Sequence, residues 1–395
     1  MRVWIVGDNF GFPNGAGATA RVHGFARALR AAGAELRIFC ATPTELPGRP
    51  SLNPAAQGIH DGVAFEYVCG TSSLPVGLVE RRWLRVRSAR RLRAVAREAS
   101  ARGAAPDVVL ATAQTLSGLA LALATAHAAG ARTVLDACEL PSGFVRDGPR
   151  RALHRRLYAR LARRTDGILC VSTLLDRHWA AHAHAPRLRV PILVDVASFA
   201  PLAPGAIEAD RIVYAGNLAH AGELAALLEA FALAARSVPH AALLILGDDP
   251  GSGAIERLRA HATRLGVGDR VTLAGAVDRA SAGRAIGSAA VVALPRPKTP
   301  WSEAGLSAKL AEYLATGRPV VVTAIGDIPL YLEHGDSAWV VPADDVAAFA
   351  RGLAEALGDR ARADAIGARG REVALRAFDT RVHGPRLVAF FESLT

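Results

Sequence analysis

The second half of the chain alternates short apolar runs with longer stretches in which apolar residues recur at helical spacing. The runs are rich in β-branched residues, which is typical of buried strands. Because a helical pattern separates each strand from the next, we predict a doubly wound parallel sheet of the α/β class. The predicted strands are Ile212 to Ala215, Leu243 to Leu246, Val271 to Leu273, Val291 to Leu294, Val320 to Thr323 and Ala338 to Val341.

The first half contains similar apolar runs, predicted as strands at Val3 to Gly7, Glu35 to Cys40, Thr133 to Ala137 and Gly167 to Val171. The Pro-rich stretch from Pro43 to Gly58 is predicted to be a loop. Residues Val108 to Ala131 carry no formal charge, but polar residues and a glycine interrupt them. We therefore interpret this segment as a buried strand and a buried helix, in preference to a membrane span. Residues Val194 to Asp210 read as a linker, which divides the 395 residues into domains 1–195 and 196–380.

The stretch from Ala293 to Thr323 combines a strand end, a polar loop, a helix and a second strand. Ser307 is placed to cap a helix from about Ala308 to Thr316, which ends at a glycine. A strand, a loop and a helix N-terminus in this order present backbone N–H groups to an anion such as phosphate. Residues predicted to serve this anion site are Arg296, Lys298, Gly305, Leu306, Ser307 and Lys309.

Lys309 and Glu312 lie three residues apart and so share one face of the predicted helix. They offer a cation for a phosphate and a carboxylate for two neighbouring hydroxyls. A plain surface ion pair would have the same spacing. Only two of the 47 basic residues are lysine, and both lie in this stretch, which favours the functional interpretation.

Several loops that follow predicted strands are suited to ligand contact. Glycine at a strand end lets the backbone approach a ligand closely, and carboxylates there face the ligand crevice of open α/β sheets. The candidates in the second half are Gly216, Asn217, Gly247 and Asp248, and those in the first half are Asn14, Gly15, Gly17, Asp136 and Glu139. The first glycine-rich turn lacks the GxGxxG spacing of a dinucleotide fingerprint. The carboxylates Asp248 and Asp249 are weak evidence for a metal, and no metal site is predicted.

Charge is divided unevenly along the chain. Residues 1–200 carry 27 basic and 14 acidic residues, a net charge of +13, whereas residues 201–395 carry 20 and 22, a net charge of −2. Nine arginines interleave with apolar positions from Arg81 to Arg102, and Arg146 to Arg164 repeats the pattern. Arg81 to Arg102 is predicted to be a basic amphipathic helix, either a solvated face or a surface that docks on an anionic membrane. No motif for reading bases is apparent, so nucleic acid is not an expected partner.

Four cysteines, Cys40, Cys69, Cys138 and Cys170, lie far apart in or beside apolar runs. They have no metal-ligand spacing and are interpreted as buried thiols in a reducing compartment. The N-terminus becomes polar too early for a signal peptide. We therefore expect a cytoplasmic protein, peripheral to the inner face of the membrane if the basic helix docks there.

Several segments resemble the retaining glycosyltransferases of family 4: IVYAGNL, LLILGDDP, KLAEYLATGRPVV and GDIPLYLEHGDSAWVVPADD, with PILVDVASFAP between the halves. The resemblance covers nearly the whole chain and implies the GT-B fold, two facing Rossmann-like doubly wound domains. It further implies that the basic first domain holds the acceptor, that the second holds a nucleoside-diphosphate sugar, and that transfer between them needs neither metal nor cofactor. Residues 381–395 are expected to form a helix that crosses back to the first domain.

The resemblance assigns roles by position. Glu312 matches the glutamate that binds the ribose hydroxyls, and residues 305–308 match the loop whose amides meet the diphosphate. Two departures stand out: Ala304 occupies the place of a second family glutamate, one position from Glu303, and the segment after Gly216 lacks the usual Arg and Lys. Arg296, Lys309 and Glu303 are therefore the candidate catalytic residues, and Lys298 is expected to add positive charge for the donor.

The predicted function is transfer of a sugar, with retention of configuration, from a nucleoside-diphosphate donor to a glycan or lipid-linked acceptor. Departure of a nucleotide diphosphate needs cations and N–H donors where negative charge develops, which these residues would supply. The alternative is a non-catalytic GT-B-like protein that binds a nucleotide sugar or a partner, because the usual phosphate cations near Gly216 are missing.

Overall fold

The computed structural model describes residues 1–48, 51–141, 148–218, 221–249 and 251–394. Within these ranges the chain forms two compact units. Unit 1 comprises Met1–Leu193 together with Thr380–Thr395, and unit 2 comprises Val194–Asp379. Arg146, part of the second basic cluster, lies outside the described residues.

Unit 1 is built on an eight-stranded sheet in the order β3-β4-β2-β1-β5-β6-β7-β8. Neighbouring strands are parallel except β3, which runs antiparallel to β4. The strands are β1 (Arg2–Gly7), β2 (Glu35–Cys40), β3 (Gln57–His60), β4 (Val63–Tyr67), β5 (Val108–Thr112), β6 (Arg132–Ala137), β7 (Gly167–Cys170) and β8 (Arg187–Arg189). The helices of its first part are α1 (Gly17–Ala31), α2 (Leu78–Ala101), α3 (Leu116–Ala129), α4 (Pro149–Ala162) and α5 (Thr173–His182).

Unit 2 contains a six-stranded sheet in the order β11-β10-β9-β12-β13-β14, parallel at each described pairing. The strands are β9 (Glu208–Ala215), β10 (Ala242–Leu246), β11 (Val271–Gly275), β12 (Ala289–Leu294), β13 (Val320–Thr323) and β14 (Trp339–Val341). The helices are α6 (Ala221–Ala234), α7 (Ala254–Arg264), α8 (Arg279–Gly287), α9 (Pro300–Ala304), α10 (Ala308–Ala315), α11 (Ile328–Tyr331), α12 (Val346–Gly358) and α13 (Arg360–Ala377).

The last helix, α14 (Thr380–Glu392), belongs to unit 1 although it follows unit 2 in the chain. It packs on α1, where the Cα of Gly384 lies so close to the Ala28 carbonyl that an added Cβ would overlap it. Leu387 and Phe391 join the apolar core of unit 1 and are fully buried. The C-terminal segment is thus part of the first hydrophobic core.

The predicted alternation of strand and helix is confirmed in both units. Val108 to Ala131 forms the buried strand β5 and the helix α3, as predicted. The strands β3, β4 and β8 were not predicted, because they are short and, in β3, polar and exposed. Among the described residues, none of the helices combines the length and apolar character that crossing a membrane requires.

Candidate functional site

The candidate donor site lies at the carboxyl ends of β9, β10 and β12, which are neighbours in the sheet of unit 2. Two glycine-containing loops follow β9 and β10. The Gly216 amide donates to the Leu246 carbonyl (2.9 Å), and the Leu218 amide donates to the Asp248 carbonyl (3.1 Å). These bonds hold the two loops side by side, at the sheet edge where open α/β sheets bind ligands.

The close approach of the two loops requires glycine at position 247. A Cβ at Gly247 would overlap the Gly216 carbonyl oxygen, so the loops could not approach as closely with any other residue there. A Cβ at Gly216 would lie 2.5 Å from Nζ of Lys309. The ammonium group of Lys309 therefore sits directly against the backbone of the first loop.

Helix α10 brings Lys309 and Glu312 to this edge. Nζ of Lys309 donates to Oη of the fully buried Tyr214 (2.7 Å) and lies 4.6 Å from the centre of its ring. Oη of Tyr313 accepts from the Ala215 amide (2.9 Å) and donates to the Ala215 carbonyl (2.8 Å). The tyrosine of α10 thus closes the end of β9 and fixes the register of the helix against the loop.

Burial governs the charge of the two α10 residues. Loss of hydration lowers the pKa of Lys309 to about 8; the nearby carboxylates Glu223 and Glu312 oppose this shift, and Arg296 adds to it. Burial also raises the pKa of Glu312, against the attraction of Arg279, whose Nη2 lies 3.3 Å from Oε1 of Glu312. The ammonium group of Lys309 is therefore poorly hydrated, and it loses its proton at a lower pH than an exposed lysine does.

Arg296 follows β12 and carries an unsatisfied donor. Its backbone amide donates to Oγ1 of Thr323 (3.0 Å), whose hydroxyl donates in turn to the Arg296 carbonyl (2.9 Å). Nε of Arg296 is buried without a hydrogen-bond partner among the described residues. Its charge reaches both Lys309 and Tyr214, because it lowers the pKa of each. A buried guanidinium N–H without a partner is a donor available to an anionic ligand.

The remaining predicted donor residues are placed as follows. Gly305, Leu306 and Ser307 connect α9 to α10, with Leu306 and Ser307 buried. Ser307 occupies the N-cap position, but its hydroxyl makes no cap hydrogen bond. Asn217 and Asp248 are exposed on the two loops.

Lys298 and Glu303, two further predicted site residues, are not bonded to the Lys309 and Glu312 side chains in the described part of the chain. The Lys298 side chain is exposed, and its backbone amide donates to Asp344 at 3.2 Å. Glu303 lies half-buried on α9. Within the described residues, neither side chain forms a hydrogen bond or ion pair with Lys309 or Glu312.

In unit 1 the predicted acceptor residues fall into two places. The glycine-rich turn is held by Asn14, whose amide donates to Oδ1 of Asn53 (2.7 Å) and whose side chain donates to the Leu52 carbonyl (2.8 Å). A Cβ at Gly15 would overlap Oγ1 of Thr19, whereas Gly17, which opens α1, faces open space. The turn is exposed from Asn14 to Gly17 and so is accessible to a ligand.

Asp136 is not accessible. Both its oxygens accept from Arg21, with Nε at 2.9 Å and Nη2 at 2.6 Å, and its side chain is only 2% exposed. Arg21 also donates to the Pro191 carbonyl (3.0 Å). The prediction that Asp136 meets an acceptor does not fit this placement, because both of its carboxylate oxygens are already bonded to Arg21 in a buried ion pair.

Glu139 remains available. Burial raises the pKa of its carboxyl to about 7, and its Oε2 has no hydrogen-bond partner among the described residues. The carboxyl lines a small cavity together with Gln114 and Trp179, whose indole N–H is also unsatisfied in the described part of the chain. This cavity can hold the polar group of a ligand or a water molecule.

Sequence reasoning missed Tyr214, Glu223, Arg279 and Arg21. Tyr214 lies within the predicted strand Ile212 to Ala215, and Glu223 and Arg279 lie on helices distant in sequence from α10. Nothing in the local pattern marks these residues. Only the tertiary structure brings them to Lys309, Glu312 and Asp136.

Two family models match the chain, one in each unit. The model described as Glycosyltransferase Family 4 matches residues 15–193, and the model described as Glycosyl transferases group 1 matches residues 209–359. Each match falls within one of the two structural units.

Curated relatives include GDP-mannose-dependent alpha-(1-6)-phosphatidylinositol monomannoside mannosyltransferases. That of Mycobacterium tuberculosis is 38% identical over 141 residues, covering 35% of each chain. That of Mycolicibacterium smegmatis is 32% identical over 154 residues, covering 38% of this chain and 40% of the relative. The chain is thus matched over well under half the length of these relatives.

Solved structures show the same architecture over the full chain. Sucrose-phosphate synthase from Thermosynechococcus elongatus superposes with a TM-score of 0.75 at 17% identity, covering 100% of this chain and 98% of that one. HepE from Anabaena, solved in complex with UDP, gives a TM-score of 0.70 at 16% identity, with all of both chains covered. The chain therefore has the GT-B fold, with two Rossmann-like domains that each match a glycosyltransferase family model.

Proposed function

We propose that this protein is a glycosyltransferase that moves a sugar from a nucleoside-diphosphate donor to a glycan or lipid-linked acceptor, without a metal and with retention of configuration. The placement of two cations carries the proposal. Lys309 lies against the Gly216 loop, which follows β9, and Arg296 follows the adjacent strand β12. Nε of Arg296 is buried and has no hydrogen-bond partner among the described residues. Two cations at the carboxyl edge of a parallel sheet suit a diphosphate.

The chemistry follows from where charge develops. As the bond between sugar and diphosphate breaks, negative charge grows on the departing phosphate oxygens, and preorganised cations lower the barrier. Lys309 and Arg296 supply this charge, and the backbone amides at the start of α10 can add hydrogen bonds. Glu312, held by Arg279, is the proposed acceptor for the two ribose hydroxyls, while Glu303 is proposed near the sugar.

Retention is proposed from the family resemblance and needs no second carboxylate at the reacting carbon. The departing phosphate would itself help to take the proton of the acceptor hydroxyl on the same face of the sugar. This differs from a glycosidase, in which a pair of carboxylates does this work.

The names of similar proteins guide the choice of donor. The mycobacterial relatives are named as GDP-mannose-dependent, and HepE was solved with UDP. We therefore propose GDP-mannose and UDP-glucose as the first donors to assay.

A cavity in unit 1 supports an anionic, partly apolar acceptor. It has a volume of about 550 Å³ and lies between α2 and α3. Three arginines line it beside apolar residues and Asp8, whose Oδ1 is buried without a hydrogen-bond partner in the described residues. The lining arginines are Arg81, Arg85 and Arg93. Guanidinium groups suit a phosphate, and a carboxylate suits a hydroxyl, so a phosphate-bearing lipid-linked acceptor fits these walls.

The start of α2 supports the proposed membrane contact. Val79 is 82% exposed, Leu78 75% and Trp83 58%, beside the arginines of the same helix. Apolar side chains interleaved with cations favour an anionic lipid surface.

Replacing Lys309 with Ala tests the site. We expect kcat/KM for the donor to fall at least tenfold, because a charge-assisted phosphate contact contributes about 1.5 kcal/mol or more. Steady-state transfer assays measure this, and Arg376→Ala, a 71% exposed arginine of unit 2, is the matched control. An unchanged kcat/KM in the Lys309 variant would contradict the assignment of Lys309 as a phosphate contact. Nucleotide binding without transfer to any acceptor would favour the non-catalytic alternative.

Replacing Val79 with Glu tests the membrane contact. Wild-type protein should co-sediment with vesicles of phosphatidylglycerol, less so at high salt, and the variant should bind several-fold more weakly. Leu330→Glu changes a comparably exposed residue (63%) of unit 2 and should leave binding unchanged. Equal binding by wild type and the Val79 variant would contradict docking through α2.

A further inference from the structure

The turn between β3 and β4 brings metal-ligand groups next to α1. The strands pair antiparallel and are joined by Asp61 and Gly62, both with positive φ (47° and 71°). Asp-Gly in this conformation forms a tight hairpin turn. The turn places His60 and Asp61 beside His23 of α1, 37 residues earlier in the chain.

The three side chains converge. One ligand atom from each of His23, His60 and Asp61 lies within 4.8 Å of the others, and no other such group of three occurs in the described part of the chain. The histidine rings are 5.3 Å apart, and Phe12 packs against both, at 4.6 and 5.7 Å. Tetrahedral Zn²⁺ holds nitrogen and oxygen ligands about 3.3 Å from one another, so modest side-chain rotation closes the gap. His60 and Asp61, 38% and 48% exposed, have room for it.

Supporting contacts already orient two of the three groups. Nε2 of His23 donates to the Pro13 carbonyl (2.8 Å), so in the neutral form of the ring the lone pair is on Nδ1. Oδ2 of Asp61 accepts from Arg27 (3.0 Å), while Oδ1 lies 3.8 Å from Nε2 of His60. Metal-binding histidines and carboxylates have outer hydrogen bonds of this kind.

We propose that His23, His60 and Asp61 bind a divalent transition-metal ion of the zinc type, with a fourth position open to water. Two imidazoles and one carboxylate are a ligand set that Zn²⁺ favours, and three protein ligands leave one site free. The metal would join the β3–β4 hairpin to α1. Through His23 and Pro13 it would also contact the glycine-rich turn. Because all three ligands belong to unit 1, the metal site is separate from the proposed donor site in unit 2.

Calorimetric titration of the full chain with ZnCl₂ tests the site. Wild type should bind one ion, and His60→Ala and Asp61→Asn should each weaken binding at least about tenfold. Asn tolerates the positive φ of position 61, so this variant removes the ligand charge and keeps the turn. Hydrogen exchange should slow at residues 57–63 and in the first turns of α1 when Zn²⁺ is added to wild type.

The control is a second histidine pair. The rings of His178 and His182 stack at 4.3 Å on α5, so this pair could also attract a metal ion. His182→Ala should leave zinc affinity unchanged. The proposal is overturned if wild type binds no Zn²⁺ at micromolar concentration. It is also overturned if His182→Ala abolishes binding while the His60 and Asp61 variants bind as wild type does.

Discussion

Lys309 carries the clearest functional signal of any single residue. In the sequence it is distinguished by the scarcity of lysine in this chain and by its spacing of three residues from Glu312. The structure adds the reason for a special role: its ammonium donates to Tyr214 and sits against Gly216, where hydration is lost. A lysine in this position is ready to pair with an anion, since the anion restores the lost solvation.

The charge of Lys309 makes the proposed donor binding depend on pH. Its pKa is lowered from 10.5 to about 8, so the cation persists below that pH and is lost above it. We expect kcat/KM for the donor to decline as pH rises from about 7 to about 9, since this ratio reports the free enzyme. Lys309→Arg keeps its charge and should remove the decline. A wild-type profile that stays flat over this range would contradict a phosphate role for the cation.

At the scale of elements, the close approach of the loops after β9 and β10 depends on Gly247. The strand and the following glycine are readable in the sequence, but the contact with Gly216 is not, because 31 residues separate the two loops. Short elements were also missed: α9 lay inside a predicted loop, and β3 joins the sheet only through its pairing with β4. Such elements are stabilised by tertiary contacts more than by their own pattern.

Gly247→Ala should disturb the donor site. The added Cβ overlaps the Gly216 carbonyl, so the loops must separate, at a cost of about 1–3 kcal/mol in unfolding free energy and with weaker nucleotide binding. Urea unfolding and nucleotide titration measure the two effects. Gly222→Ala on α6 meets open space and should be neutral or raise stability by about 0.5–1 kcal/mol. Identical behaviour of the Gly247 variant and wild type would show that the loops tolerate separation.

At the scale of the whole molecule, two apolar cores define two units, and the last helix returns to the first. The candidate phosphate-binding groups lie in unit 2, whereas the basic surface helix and the arginine-lined cavity lie in unit 1. This separation follows the charge division along the chain, in which the first half is strongly basic and the second nearly neutral.

A nucleotide should therefore stabilise unit 2 selectively. UDP, GDP or ADP at a hundredfold excess over Kd should add about 2.7 kcal/mol to its unfolding free energy. Thermal unfolding with each nucleotide gives the shift, and hydrogen exchange in β9 and α10 assigns it to unit 2. Protection confined to unit 1, or no shift with any of the three, would argue against the proposed donor site.

Local pattern was sufficient to predict the α/β class, most strands, the basic helix and the helix that carries Lys309 and Glu312, because burial periodicity, helix capping and residue spacing act over a few residues. Sheet order and packing decided the rest. They buried Asp136 against Arg21, placed Tyr214 beneath Lys309, and gathered His23, His60 and Asp61. Each of these contacts joins residues distant in sequence, so its geometry exists only once strands are ordered and helices packed upon them.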